Sequence, residues 1–211
     1  VVEGYLRQSF FLLVRQEDTR LTPAEVQTLA TVLALSGGSL LVSDDMPALD
    51  EERREWLARL LPPLEGRLQV VEALESERPS SMVLPQAGPA GVWWLCAALN
   101  WDDAPLAMTL DLRRLGIPEA GGYRWSDPWG RQAGGSPSAV LDLGIVPGHG
   151  IALRAVRLAS AEAAWLGDTL HISQGAVVTA WEPGARRLTA VVGLVGRRRE
   201  GTAWLWLPAE P

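Results

Sequence analysis

The sequence predicts a mainly β protein, a C-terminal antiparallel β-sandwich preceded by a short α/β segment. From Arg67 onward, short apolar segments with a period of two are separated by Gly, Pro, Asn and Asp every eight to fifteen residues, the signature of an antiparallel sandwich. Before Arg67 the apolar runs are continuous instead of alternating, as in parallel strands covered on both faces. Two strong helix starts lie among those runs, so the first part reads as strand, helix, strand, helix. These observations divide the chain into residues 1–65, a set of βα elements, and residues 66–211, the sandwich, with a boundary near Pro63 to Arg67.

The first strand is expected at Phe10 to Val14. After the polar turn Gln16 to Arg20, Thr22 is placed as an N-cap, Pro23 takes the first helical position and Glu25 completes a capping box. Val26, Leu29, Ala30 and Leu33 then form one apolar face, and Gly37-Gly38 end the helix. Leu40, Leu41 and Val42 make the second strand, with Asp44 and Asp45 at its C-terminal end. Barrels of alternating parallel strands and helices build their sites at that end. The two carboxylates therefore either contribute to a site or only open and solvate the loop.

Asp50 caps the second helix, Glu51 and Glu52 face the positive end of its dipole, and Pro62-Pro63 stop it. Trp56, Leu57, Leu60 and Leu61 supply its buried face. Two βα units cannot close a barrel, which takes about 250 residues, so this part is incomplete by itself. Sandwich strands are expected at Leu68 to Leu74, Ser81 to Leu84, Val92 to Asn100, Leu106 to Leu112, Tyr123 to Ser126, Ala139 to Leu143 and Gly150 to Arg157. A broken ribbon from Leu166 to Trp181, then Leu188 to Val195 and Thr202 to Leu207, complete the set.

Composition narrows the function classes. No apolar run approaches the length of a membrane span and no secretion signal is recognisable, so no membrane partner and a cytoplasmic location are expected. The single Cys96 excludes an internal disulfide and is expected in the core. The acidity is confined to the first part: residues 1–79 hold 8 Arg against 14 Asp and Glu, residues 80–211 hold 11 of each. No basic stripe is available to neutralise phosphates, so no nucleic-acid partner is expected, and Arg197 to Arg199 read as a hairpin turn. The chain has no lysine and uses Ala, Gly, Pro and Arg heavily, which points to a GC-rich bacterial coding sequence.

No catalytic constellation emerges from spacing. Adjacent residues of an extended segment point in opposite directions, so neither Asp44-Asp45 nor Asp102-Asp103 can flank one glycosidic bond. Asp102-Asp103, in NWDDAP, is better explained as a hairpin turn. His149 and His171 have no acid or cysteine at ligand spacing, so no metal and no cofactor are expected. His171, alternating with Leu170 and Ile172, reads as a packed, hydrogen-bonded strand residue. Ser173 lacks the sharp strand-to-helix turn of a nucleophile, and Gly37-Gly38 lacks the lysine of a phosphate loop. The ten tryptophans fit core and interface positions better than ligand stacking.

Four stretches carry a family resemblance: RQEDTRLTPAEVQTLATVLALSGGSLLVSDDMPALDEERREWLARLLPP, ALNWDDAPLAMTLDL, YRWSDPWG and LGDTLHISQG. In this order they resemble the C-terminal part of α-galactosidase (melibiase)-like glycoside hydrolases. The resemblance implies that the first stretch corresponds to the last βα elements of a TIM barrel and the rest to the β-sandwich that follows it. It further implies a substrate-binding contribution from Val42, with Asp44 and Asp45 at the rim, and a parent enzyme that hydrolyses terminal α-galactosides. The chain departs from the family before Leu12, where members tend to carry an Asn-Asp-Pro-Asp-like segment, and no stretch matches the nucleophile or acid/base motifs. The expected object is therefore an accessory or structural fragment without a catalytic residue of its own. A sugar-binding module and an oligomerisation domain are the alternatives. An α-galactoside, a second copy of the chain or the missing barrel portion are the expected partners.

Overall fold

The computed structural model describes residues 9–184, 187–194 and 200–208, with side chains from Phe11 onward. Two parallel strands, β1 (Ser9–Leu12) and β2 (Ser39–Val42), pair in register from Ser9 with Ser39 to Leu12 with Val42. Helix α1 (Pro23–Ser36) connects them, and α2 (Glu51–Arg59) follows after a single 3₁₀ turn, Met46–Ala48. Both predicted helix starts are present. The Thr22 hydroxyl accepts from Glu25 N at 3.3 Å while the Glu25 carboxylate accepts from Thr22 N at 2.7 Å. Asp50 accepts from Arg53 N at 2.8 Å. Gly37 ends α1 at φ 68°, a conformation that suits glycine.

The remaining strands are β3 (Gln69–Val70), β4 (Ser81–Gly88), β5 (Gly91–Leu99), β6 (Leu106–Asp111), β7 (Tyr123–Asp127) and β8 (Gln132–Ser136). They continue with β9 (Val140–Val146), β10 (Ile151–Leu158), β11 (Ala164–Asp168), β12 (Val178–Pro183), β13 (Leu188–Val192) and β14 (Ala203–Trp206). A six-stranded antiparallel sheet runs in the order β3-β4-β5-β10-β7-β8, and β6–β9, β11–β14 and β12–β13 form separate antiparallel pairs. The chain is thus mainly β, as its period-two pattern predicts.

Alternation along the central strands sends side chains to two cores. Trp93, Leu95, Ala97 and Leu99 of β5, with Leu153 and Ala155 of β10, meet Val26, Ala30, Leu33 and Ala34 of α1 and Trp56 and Leu57 of α2. Cys96 and Ala98, with Val156, point the other way onto Leu110, Leu141 and Leu143 of β6 and β9. Helix α1 therefore lies between the parallel pair and the large sheet, and the α/β segment shares one apolar core with the β-region. Burial also pushes the Cys96 thiol well above its ordinary range, consistent with a core position.

Several sequence expectations need correction. The parallel pair is covered on one face only: Phe11 is 68% and Leu41 42% exposed. Nothing among the described residues packs on that side. The strand expected to run to Leu74 ends at Val70, where a turn begins with Glu75 N donating to Glu72 O. Strand β8 has no signature in the sequence, because QAGGS carries no alternation. It exists through its pairing with β7, where a Cβ on Gly134 would stand 2.7 Å from the Trp125 ring. Asp102-Asp103 does not close a hairpin, since it links β5 of the large sheet to β6 of another. His171 lies in the turn between β11 and β12, not in a strand. The Arg197 to Arg199 turn lies outside the described residues.

Candidate functional site

The C-terminal end of the parallel pair gathers Val42, Asp44 and Asp45. Val42 is half-buried and packs with Leu40 against the helix-side core, whereas Leu41 and Phe11 point to the uncovered face. Ser43 N continues the ladder to Leu12 O at 3.4 Å. Asp44 turns back: its Oδ2 accepts from Val14 N at 2.6 Å and clamps the two strand ends together. Its Oδ1 is buried and has no hydrogen-bond partner among the described residues. Asp45 is exposed, and its carbonyl accepts from Ala48 N at 2.9 Å as the 3₁₀ turn opens. Gln16 Nε2 donates to Ala48 O at 3.0 Å, tying the loops after β1 and β2 together. The arrangement offers one anchored and one solvated carboxylate beside an apolar strand face. Neither is paired with a second carboxylate, and among the described residues no group of three or more His, Cys, Asp or Glu is placed to hold a metal ion.

A second cluster carries catalytic residue types but not catalytic geometry. His171 Nδ1 lies 2.8 Å from Ser173 Oγ and accepts from Ser173 N at 3.2 Å, so the ring proton is assigned to Nε2, which donates to Pro62 O at 2.8 Å. Asp168 bonds the backbone of His171, not its ring: Oδ1 accepts from His171 N at 2.8 Å and from Leu170 N at 2.9 Å. A Ser-His-Asp relay needs the acid on the imidazole and the hydroxyl open to substrate, and Ser173 is fully buried. With Ile172 N donating to Arg59 O at 2.9 Å, the cluster instead fastens the end of α2 to the turn after β11. His149 is exposed and sits 2.8 Å from Asp103 Oδ1, on a loop whose His149 carbonyl accepts from Thr28 of α1.

Buried arginines form a further set that no motif or spacing singles out. Arg154 pairs with Asp127 at 2.7 Å, while Arg157 and Arg124 stack on Trp93 and Trp206 at 4.5 and 4.0 Å. The available signal was arginine at strand positions that point inward, in LRAVRL and YRWSD. Trp93 is fully buried and donates to Ser173 O at 2.7 Å; Trp56 and Trp165 are buried too, Trp94, Trp125, Trp129 and Trp181 pack partly buried against the cores, and Trp101 and Trp206 are exposed.

No family model matches the chain, and no curated protein sequence does. Solved structures do match. α-Galactosidase I from Mortierella vinacea aligns with a TM-score of 0.55 at 13% identity, covering 70% of this chain and 38% of that one. A GH27 β-L-arabinopyranosidase from Geobacillus stearothermophilus gives 0.51 at 19% identity, covering 67% and 32%. α-Galactosidase from Saccharomyces cerevisiae gives 0.50 at 16% identity, covering 70% and 46%. The fold is that of the C-terminal part of such glycosidases. The chain spans about a third to just under half the length of these structures. At such identities the likeness is one of fold, and residue roles do not transfer with it.

Proposed function

We propose that this chain is the C-terminal part of a retaining glycoside hydrolase of the α-galactosidase type, in which β1, α1, β2 and α2 supply the last elements of a barrel. The observation that carries the reading is the parallel pair, packed on α1 and the β-region on one face and bare at Phe11 and Leu41 on the other. That is the condition of two barrel strands whose interior neighbours are supplied elsewhere. The antiparallel region then acts as an accessory wall behind the helices. Asp44 holds the ends of the two strands in register, and Asp45 stands at the rim of the sugar site. Chemistry in such an enzyme needs two carboxylates roughly 5 Å apart across the scissile bond. Asp44 and Asp45 are adjacent in the chain and one of them is fastened to Val14, so the catalytic pair belongs to earlier strands.

The test is hydrolysis of an aryl α-galactoside and an aryl β-L-arabinopyranoside by the purified 211-residue chain, with Asp44→Asn and Asp45→Asn beside it. No turnover is expected. A covalent glycosidase trap applied to a longer polypeptide carrying this chain is expected to label a carboxylate upstream of Ser9. Turnover by the chain alone that is lost in either variant, or a trap found on residues 9–208, overturns the proposal.

A further inference from the structure

On the helix-facing side of the large sheet, Arg124 of β7 and Arg157 of β10 are directly opposite one another in the antiparallel register. Both side chains are buried. Opposed side chains on neighbouring strands stand about 5 Å apart at Cβ, and like charges there destabilise the pair. Ordinarily a carboxylate would lie between them. Here neither arginine forms an ion pair among the described residues.

The bonds that are made leave much of each guanidinium unsatisfied. Arg124 Nη2 donates to Ser160 O at 2.5 Å and Arg157 Nη2 to Gln174 O at 2.9 Å. Arg124 Nη1, Arg157 Nε and Arg157 Nη1 are buried without a hydrogen-bond partner. The indoles of Trp206 and Trp93 cover the flat faces of the two groups, yet a guanidinium directs its N–H donors within its plane. Stacking therefore leaves those donors open. Unpaired buried charge is among the most expensive features a fold can carry, and an unsatisfied buried donor calls for an explanation, of which a bound ion is one.

We propose that this part of the β7–β10 face binds a small oxyanion of the sulfate or phosphate class, received in the guanidinium planes of Arg124 and Arg157. Oxyanions match the in-plane fork of arginine, and the two indoles exclude water from the faces. Entry is from the Arg124 side, where Trp206 is 41% exposed and Ser160 lies in an exposed loop. Without a counter-ion, burial draws the Arg157 guanidinium down to about 9 and that of Arg124 below its ordinary range, with Asp168 opposing the effect at Arg157 only through its more distant charge.

Calorimetric titration of sodium sulfate into the 211-residue protein, in chloride at fixed ionic strength, tests the site. Saturable one-to-one binding is expected at millimolar sulfate, well below the concentrations at which exclusion from the surface stabilises proteins generally. Arg124→Lys keeps the charge but loses the planar fork, and weakens binding on the order of tenfold. Arg157→Met abolishes it. If Arg157→Met fails to fold, Arg124→Lys alone decides. Absence of saturable binding, or binding unchanged in Arg124→Lys, overturns the proposal.

Discussion

Asp168 shows how one buried carboxylate organises a stretch that the sequence presents as a strand. Its Oδ1 takes the N–H groups of Leu170 and His171, its Oδ2 receives Trp165 Nε1 at 3.3 Å, and its own N–H and C=O are held by the Gln174 amide. Residues whose N–H groups are captured in this way cannot join a ladder, which is why the expected ribbon breaks at His171. The packed, hydrogen-bonded role of His171 was legible from its apolar neighbours. The turn was not, because nothing local distinguishes an Asp that bonds its own backbone from one that faces water. Burial raises the Asp168 carboxyl above its ordinary range, against the backbone bonds that favour the ionised form. Between the ordinary and the raised value the native state binds more protons than the unfolded chain, so the contribution of this group to stability falls as pH rises through that interval. The stability of the wild type relative to Asp168→Asn is therefore expected to grow as pH is lowered through the interval between the raised value and the ordinary one near about 4. Denaturant melts of both proteins across that range check it, and a flat or inverted difference would mean that neighbouring cations outweigh burial.

At the level of elements, the helix starts were legible to the residue because they are written locally, whereas α2 ends at Arg59 and leaves Leu61, expected on its buried face, 41% exposed. Thr22 with Glu25, and Asp50 alone, satisfy backbone donors that no tertiary contact needs to reach. Thr22→Ala and Asp50→Ala are each expected to cost about 1 kcal/mol, and, since they start different helices, the double variant should lose about the sum. Chemical denaturation of the three variants measures this. The first cap is also expected to weaken in acid. The Thr22 backbone N–H holds the Glu25 carboxyl below its usual range, so its contribution is present above the ordinary carboxylate value and is lost as pH falls through the depressed one. Strands were less legible where a partner, not the segment itself, decides. β8 is specified by the Trp125 ring that lies over Gly134. β3 stops short because Glu72 bends back to accept from Ser81 N at 3.0 Å.

For the whole molecule, composition and period sufficed to read a mainly β chain with an α/β start, but they could not show which faces would find cover. A continuous apolar run signals a strand buried on both sides, and β2 has that signal without that burial, since Leu41 is left exposed. The run describes an environment covered on both faces, and among the described residues the pair has that cover on one face only. Among the described residues, the two parallel strands also leave unpaired backbone donors and acceptors along their outer edges, a template for further strands. Both features favour association: either with the elements that complete a barrel or, in their absence, between copies of the chain. Light scattering of the isolated chain is therefore expected to show a mean mass that rises with concentration. Leu41→Glu and Phe11→Glu should suppress that rise while moving the unfolding free energy by no more than about 0.5 kcal/mol, the usual limit for surface substitutions. A chain that stays monomeric at all concentrations would show that the face is stable without cover. A large loss of stability in either variant would place these side chains in the core instead, and would remove the main physical support for reading the parallel pair as part of a barrel.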